Sequence, residues 1–185
     1  MTTRERGRPA VSSLAALEDA ANELFLERGF DGATIDDIAK RAGISRATFF
    51  NYCQSKSDLL WLAVDDALGR LEELLRDTPH LGEALRSIAR AQPAERIPLS
   101  ATQCDAMGAE AEFAGSAGRR IERLRQALLS SGVDPDDAWL VLGALVSALQ
   151  EWTMQSPRGV LVDLVEKHLG RIRGVLGAHT LATLF

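Results

Sequence analysis

The chain has 185 residues, 46% of them hydrophobic and 25% charged, a balance that predicts a folded globular protein and argues against disorder. Its net charge of −5 does not favour a general polyanion binder, although residues 1–60 are close to neutral, with eight basic against nine acidic side chains. Cys53 and Cys104 have no neighbouring metal ligands, and no apolar run is long enough to cross a membrane. We therefore expect a cytoplasmic protein with no metal, no cofactor and no membrane association.

Three short helical segments follow a polar, flexible arm that we assign to residues 1–11. The first ends at Gly29 and carries an apolar stripe at helical spacing, formed by Leu17, Ala21, Leu24 and Phe25. Thr34 is suited to cap a second helix of about two turns, which Gly43 ends. Ser45 then caps a third short helix, RATFFNYC.

A longer helix is predicted from Lys56, behind a cap at Ser55, to about Arg76, and Pro79 closes it. The remaining pattern predicts a surface loop between Pro93 and Pro98 and five more helices, near residues 81–91, 101–114, 117–131, 135–155 and 157–177. Leu, Ala and Val dominate the apolar residues, and strand-like alternation is not evident. The sequence therefore predicts an all-α fold.

The second and third segments, joined by a glycine turn, have the layout of a helix-turn-helix, whose second helix can enter a DNA major groove about 12 Å wide. The run ATIDDIAKRAGISRATFFNYCQSKSDLL, preceded by ANELFLERGFDG, resembles the DNA-binding head of the TetR family over residues 12–62 without a gap. This resemblance implies a three-helix DNA-binding domain at 12–60 and a helical ligand-binding and dimerisation domain at 61–185. It also implies a ligand-responsive transcriptional regulator, a repressor of a palindromic operator in double-stranded DNA and not an enzyme.

The resemblance assigns contacts with the DNA backbone to four side chains, Thr34, Thr48, Tyr52 and Lys56. Base reading falls to side chains on the first turns of the third helix, Arg46, Ala47, Phe50 and Asn51. Arg46 is suited to guanine and Asn51 to adenine, while Ala47 or Phe50 suits a thymine methyl group. The arm resembles the basic tails that family members lay along the minor groove or backbone, through Arg4, Arg6 and Arg8.

Two positions depart from the family pattern. Phe50 stands where most members carry tyrosine, which removes one hydroxyl contact with DNA. Cys53 replaces the usual aromatic core residue and is expected to act as a small buried hydrophobe. It predicts a slightly different packing between the third and fourth helices.

The resemblance also implies a small-molecule pocket in the C-terminal domain, which the residues alone do not reveal. The densest basic cluster, Arg119, Arg120 and Arg123 together with Arg125, is either a solvated face paired with acids or a grip for an anionic effector such as an acyl-coenzyme A. SKSDLLW followed by an acidic helix is similar to TetR-like regulators of mycofactocin clusters, some of which sense acyl-coenzyme A. We expect a hydrophobic or amphipathic effector.

The stretch AWLVLGALVSAL, within 135–155, is apolar nearly all round and must be covered on every side. Its small residues and the apolar stripe of the final helix predict a four-helix interface in a two-fold homodimer. The predicted interface residues are Gly143, Ala144, Ser147, Ala148, Leu161, Val165, Leu169 and Ile172. The alternative is that both helices only complete the core of one chain.

Two other classes of protein stay open on the residues alone. An enzyme is the weaker candidate, because the three histidines have no partners at catalytic or metal-binding spacing; they are His80, His168 and His179. The second candidate is a structural or adaptor helical protein. A test for binding to the DNA upstream of its own gene would distinguish such a protein from a regulator.

Overall fold

The computed structural model describes residues 10–77, 80–92, 98–155 and 159–185, with side chains from residue 14 onward. This part of the chain is helical and contains no strand, which confirms the predicted all-α fold. Several sequence predictions lie outside the described residues, namely those for Arg4, Arg6, Arg8 and Pro79, most of the loop after Pro93 and the first two residues of the helix expected at 157–177.

The described residues contain eleven α-helices: α1 Ala10–Gly32, α2 Ile35–Arg41, α3 Arg46–Tyr52, α4 Leu62–Asp77, α5 Leu81–Arg90, α6 Leu99–Thr102, α7 Glu110–Ser116, α8 Gly118–Ser130, α9 Pro135–Met154, α10 Leu161–Ile172 and α11 Ala178–Leu184. Tighter 3₁₀ turns precede α4 at Lys56–Trp61 and follow α10 at Arg173–Val175. Within α1 the helix breaks at Gly29, whose φ of 74° suits a residue without a side chain.

Three predicted helices need correction. The helix expected at 101–114 is interrupted by turns, and Gly108 adopts a left-handed φ of 61° there. The long helix expected from Lys56 starts as a 3₁₀ turn, in which the Asp58 carboxylate accepts a hydrogen bond from the Ser55 amide at 3.1 Å. The helix expected at 157–177 is regular only over Leu161–Ile172, and α11 was not predicted at all.

The chain divides into two compact units. The first, which we call the head, comprises the described residues up to Leu62 together with Gln103–Ser116. The second, the body, comprises Ala63–Thr102 and Ala117–Phe185. Gln103–Ser116 was expected in the C-terminal domain, so the predicted boundaries are corrected at this segment.

The head has a core of its own around three fully buried side chains, Phe25, Ile38 and Phe49, one from each of its first three helices. Met107 joins this core from the distant segment and is also fully buried. The Phe30 amide donates a 2.7 Å hydrogen bond to the Met107 carbonyl, directly after the break in α1. The later segment thus completes the packing around the end of α1.

The body core is built on α9 and α10, which pack along each other. Buried leucines and valines of both helices, such as Val141 and Leu169, meet the buried face of α5. The C-terminal α11 closes this core, since a Cβ atom at Gly82 in α5 would lie 1.9 Å from the Leu184 carbonyl oxygen. Only glycine permits that approach. None of the described helices is long and apolar enough to span a membrane.

Candidate nucleic-acid interface

The start of α2 is fixed by Thr34, which the sequence predicted as both a cap and a phosphate contact. Its Oγ1 accepts a hydrogen bond from the Asp37 amide at 3.1 Å and donates one to the Asp37 carboxylate at 2.7 Å. The Thr34 hydroxyl and the Thr34 amide, which donates to the same carboxylate oxygen at 3.4 Å, hold the pKa of Asp37 below its ordinary value. The cap is therefore confirmed, and the exposed hydroxyl is already ordered in the free chain.

A glycine turn sets the angle between α2 and α3. Gly43 has a left-handed φ of 70°, and the following amide of Ile44 donates to the Ala39 carbonyl at 2.9 Å. Ser45 then caps α3, because its Oγ accepts from the Thr48 amide at 3.0 Å and lies 2.8 Å from the Thr48 hydroxyl. Thr48 is thus hydrogen-bonded at the start of α3.

The short helix α3 has one buried and one open face. Phe49 is fully buried in the head core and anchors the helix. The four side chains predicted to read bases all lie on exposed positions: Arg46, Ala47, Phe50 and Asn51. The structure therefore brings the predicted base-reading residues together on one accessible helix.

Arg46 is held by two neighbours that the sequence analysis did not connect with it. Its Nη1 donates to the Asp36 carboxylate on α2 at 2.6 Å. Its guanidinium also lies 5.4 Å from the centroid of the Phe50 ring, which packs edge-on against Phe49. The guanidinium therefore has a defined position before DNA is bound.

Lys56 lies differently from the expected phosphate clamp. Its ammonium donates to the carbonyls of Phe30 at 2.6 Å and Ala33 at 3.0 Å, and it lies 4.1 Å from the centroid of the Phe30 ring. The side chain therefore fastens the start of the fourth helical segment to the end of α1. Tyr52, the other backbone contact predicted here, is half-buried against the head core. The contacts of both residues with phosphate stay predictions.

The segment Gln103–Ser116 adds contacts that sequence reasoning missed. Phe113 stacks on Trp61 with centroids 4.0 Å apart and planes 9° from parallel. The Trp61 indole N–H donates to the Ser116 hydroxyl at 2.9 Å. These partners are about fifty residues apart in sequence, so no local pattern signals them. Phe113 is the single aromatic residue of α7, so it forms no periodic pattern that a sequence reading could use.

The arginine cluster belongs to the body and is occupied by carboxylates. Arg120 is 4% exposed and hydrogen-bonds both oxygens of Asp65 on α4. Arg123 bonds both oxygens of Glu72, also on α4, and lowers the pKa of that carboxyl. Of the two alternatives, these contacts favour pairing with acids, although Arg120 is buried and not on a solvated face.

The predicted dimer residues need correction. Five of them are at least 93% buried within their own chain: Ala144, Ala148, Leu161, Val165 and Leu169. They form the seam between α9 and α10 and are not available to a partner. Ser147 and Ile172 are partly buried, whereas Gly143 is exposed with open space beside it. Because α9 is apolar nearly all round, its sequence does not indicate which face packs within its own chain and which is left for a partner.

The geometry of the head agrees with comparisons to known proteins. Residues 17–61 match the family described as bacterial regulatory proteins, tetR family. A putative mycofactocin biosynthesis transcriptional regulator, MftR of Mycobacterium tuberculosis, is 29% identical, with 93% of each chain covered. Within the described residues no group of three potential metal ligands occurs.

Two solved structures share the fold. Thermus thermophilus FadR, a TetR-family repressor in complex with lauroyl-CoA, is 24% identical, covers 89% of this chain and 95% of its own, and has a TM-score of 0.51. Bacillus subtilis FadR in complex with stearoyl-CoA is 20% identical, covers 84% and 95%, and has a TM-score of 0.50.

Two capped helices joined by a glycine turn, the second with an exposed face, have the layout of a DNA-binding helix-turn-helix. The stretch that matches the tetR family, residues 17–61, includes both of these helices. The chain thus carries a TetR-type DNA-binding domain at residues 17–61, and it is similar over 93% of its length to a putative transcriptional regulator.

Proposed function

We propose that the protein is a sequence-specific repressor that binds a palindromic operator as a homodimer, in the cytoplasm, and leaves it when a small molecule binds the body. The observation that carries the proposal is the open face of α3. Arg46, Ala47, Phe50 and Asn51 are exposed there, while Phe49 fixes the helix from behind. These side-chain types suit guanine, thymine and adenine in the major groove.

Contacts with the DNA backbone are proposed for Thr34, Thr48 and Tyr52, with Lys56 as a fourth. The first two sit at the N-termini of α2 and α3, where unpaired amides and the helix dipole favour phosphate oxygens. Lys56 has one N–H left after its two carbonyl contacts, and that one remains for phosphate. Such contacts set register and orientation and leave sequence reading to α3.

The homodimer is proposed to form through the exposed face of α9 and not through its buried seam with α10. Trp139 is 57% and Leu140 42% exposed, one turn before Gly143, where a Cβ would meet no atom within 4 Å. Large apolar side chains beside an open glycine suit close approach of an equivalent helix. Two-fold symmetry then presents two α3 helices to half-sites about 34–36 Å apart, or modestly farther.

The effector is proposed to be amphipathic, with an acyl-coenzyme A as the first candidate. Support comes from the two FadR structures, which hold lauroyl-CoA and stearoyl-CoA. Arg119, Arg120 and Arg123 stay the proposed grip for its anionic part. Asp65 and Glu72 on α4 occupy the Nε–Nη2 edges of Arg120 and Arg123, so an anion that takes either edge must displace a carboxylate. Such an exchange would alter the contacts between α4 and α8 inside the body.

The experiment begins with selection of bound duplexes from a randomised DNA pool. The proposal expects enrichment of an inverted repeat, a complex of two chains per duplex, and loss of binding on addition of lauroyl-CoA. Free coenzyme A and laurate serve as controls for the two halves of that ligand. A reporter under the selected site should be less active when the protein is present. A pool without an enriched sequence, or a single chain bound per site, contradicts the proposal.

A further inference from the structure

The guanidinium of Arg46 is fixed from two sides before any DNA arrives. Asp36 reaches it from α2 with a 2.6 Å hydrogen bond, and the Phe50 ring lies beneath it one helical turn later. Phe50 is itself held by an edge-on contact with Phe49, ring centroids 5.3 Å apart, and Phe49 is fully buried. The position of Arg46 is thus tied to the head core through a chain of contacts.

The contact with Asp36 occupies one nitrogen, Nη1, and one carboxylate oxygen, Oδ1. A guanidinium carries five N–H donors in a planar fork, so the edge formed by Nε and Nη2 keeps its donors. That edge has the geometry to take guanine O6 and N7 together. Asp36 can therefore stay bonded to Arg46 while Arg46 reads a base.

We propose that Asp36 is a specificity-determining residue, which positions Arg46 for guanine and keeps it from serving as a general phosphate clamp. The proposal rests on the proposed function, since it presupposes that α3 reads a DNA sequence. A free arginine in the groove swings readily to a phosphate, which is present at every site. An arginine paired with Asp36 has fewer side-chain conformations available. Its free Nε–Nη2 edge then favours the base acceptors that lie directly in front of it.

The charge of Asp36 acts in the same direction. Its side chain is 69% exposed and lies within hydrogen-bonding distance of a base-reading residue, so it faces the DNA together with that residue. A carboxylate there repels phosphates on every sequence and cancels the attraction of one arginine. On a matched site the contact between Arg46 and guanine offsets this repulsion. On random DNA that contact is absent, so the repulsion weakens binding. Specificity is the difference between those two affinities.

The test compares three variants of the full chain with the wild type, each checked for unchanged helicity by circular dichroism. Asp36→Ala removes both the acceptor and the charge, and Asp36→Asn removes the charge but keeps an acceptor oxygen. Asp19→Asn, at an exposed position of α1, makes the same change in net charge on a different helix from Asp36 and Arg46. The readouts are the dissociation constants on the selected duplex and on random duplex, and the base preference found by selection from a randomised pool.

Asp36→Ala should bind random duplex more tightly and lower the ratio of the two dissociation constants about three- to fivefold, the range of one exposed ion pair at its stronger end. Its preference for guanine should weaken at one base pair of each half-site. Asp36→Asn should tighten binding to both duplexes and keep more of that preference. Asp19→Asn should leave the ratio unchanged. In an Arg46→Ala background, adding Asp36→Ala should no longer alter the base preference.

An Asp36→Ala variant that keeps the wild-type ratio and the wild-type preference overturns the proposal, and so does an equal loss of preference in Asp19→Asn. A wild-type protein that enriches no sequence overturns the proposed function, and this proposal falls with it. A wild-type protein that enriches a site which Asp36→Ala reads equally well overturns only the role of Asp36.

Discussion

Replacing Lys56 with methionine separates its two possible roles, as a phosphate clamp and as an internal fastener of the head. Methionine keeps most of the chain length and can still pack on the Phe30 ring, but it cannot donate hydrogen bonds. The two carbonyls that accept from Lys56, those of Phe30 and Ala33, would lose a partly buried charged donor. Both lie at the end of α1, just before the capped start of α2.

The expected loss follows from these two contacts. Hydrogen bonds to a charged group contribute about 1.5–3 kcal/mol each, and solvent at a half-buried site reduces that figure. Water can also reach the freed carbonyls in part. We therefore expect Lys56→Met to destabilise the head by about 2 kcal/mol. The body should be unaffected, because the partners of Lys56 lie in the head.

Hydrogen exchange measured by mass spectrometry reports the two units separately. Amides of α2 and α3 should exchange about thirtyfold faster in Lys56→Met, the factor that corresponds to about 2 kcal/mol, while amides of α9 should not change. Lys40→Met is the matched control, since Lys40 is an exposed lysine of α2 in the same unit. DNA binding of both variants should be measured over a range of salt concentrations.

Unchanged exchange in α2 and α3 would refute the fastening role. If the slope of log affinity against log salt also fell by about one unit, Lys56 would be the phosphate clamp that the family pattern implies. Faster exchange with an unchanged slope would leave only the fastening role. Both effects together are expected if the third N–H of the ammonium meets a phosphate.

Three further predictions follow from other contacts. Thr34→Ala removes the cap of α2, so it should cost about 1 kcal/mol in urea unfolding of the head and weaken binding to all DNA sequences alike. Ala144→Glu buries a charge in the body core and should unfold it, whereas Gly143→Glu should keep far-UV circular dichroism and give monomers by light scattering; dimeric Gly143→Glu would exclude this face of α9. The hydrogen bond from Lys167 is the main reason that the pKa of Glu151 falls from an ordinary 4.5 to about 2. The contribution of Glu151 to stability should therefore be complete above about pH 4.5 and disappear as the pH falls toward 2. Acid unfolding of Glu151→Gln, which lacks this contribution, measures the difference.

The head could be predicted closely from sequence because its determinants are local. Thr34 and Ser45 are caps that act within three residues, and Gly43 supplies the left-handed turn between them. The exposed face of α3 follows from helical spacing around Phe49. What sequence did not indicate are contacts between segments, such as the pair of Asp36 with Arg46 and the hold of Lys56 on α1.

The body was harder to predict because hydrophobic periodicity identifies an apolar helix but not its neighbour. Ala148 and Leu169 were assigned to a partner chain and instead pack within their own. Likewise, the arginines of α8 gave no sign of which acids they would meet, since Asp65 and Glu72 lie more than fifty residues earlier. The break near Gly108 was missed because the segment was read as one continuous helix. Gln103–Ser116 instead packs in the head, where Gly108 turns the chain with a left-handed φ.

The proposed contact residues of the head share a property that bears on how it would find a site. Thr34 is bonded to Asp37, Thr48 lies against Ser45, and Arg46 is bonded to Asp36. DNA must compete with each of these internal partners, which lowers affinity for any phosphate backbone. The same contacts fix the side chains in place, so little rotamer freedom is lost on binding. Competition from the internal partners weakens binding to every sequence, whereas the saved rotamer freedom strengthens binding only where the fixed side chains match the DNA. A head of this kind therefore has lower affinity and higher discrimination between sequences.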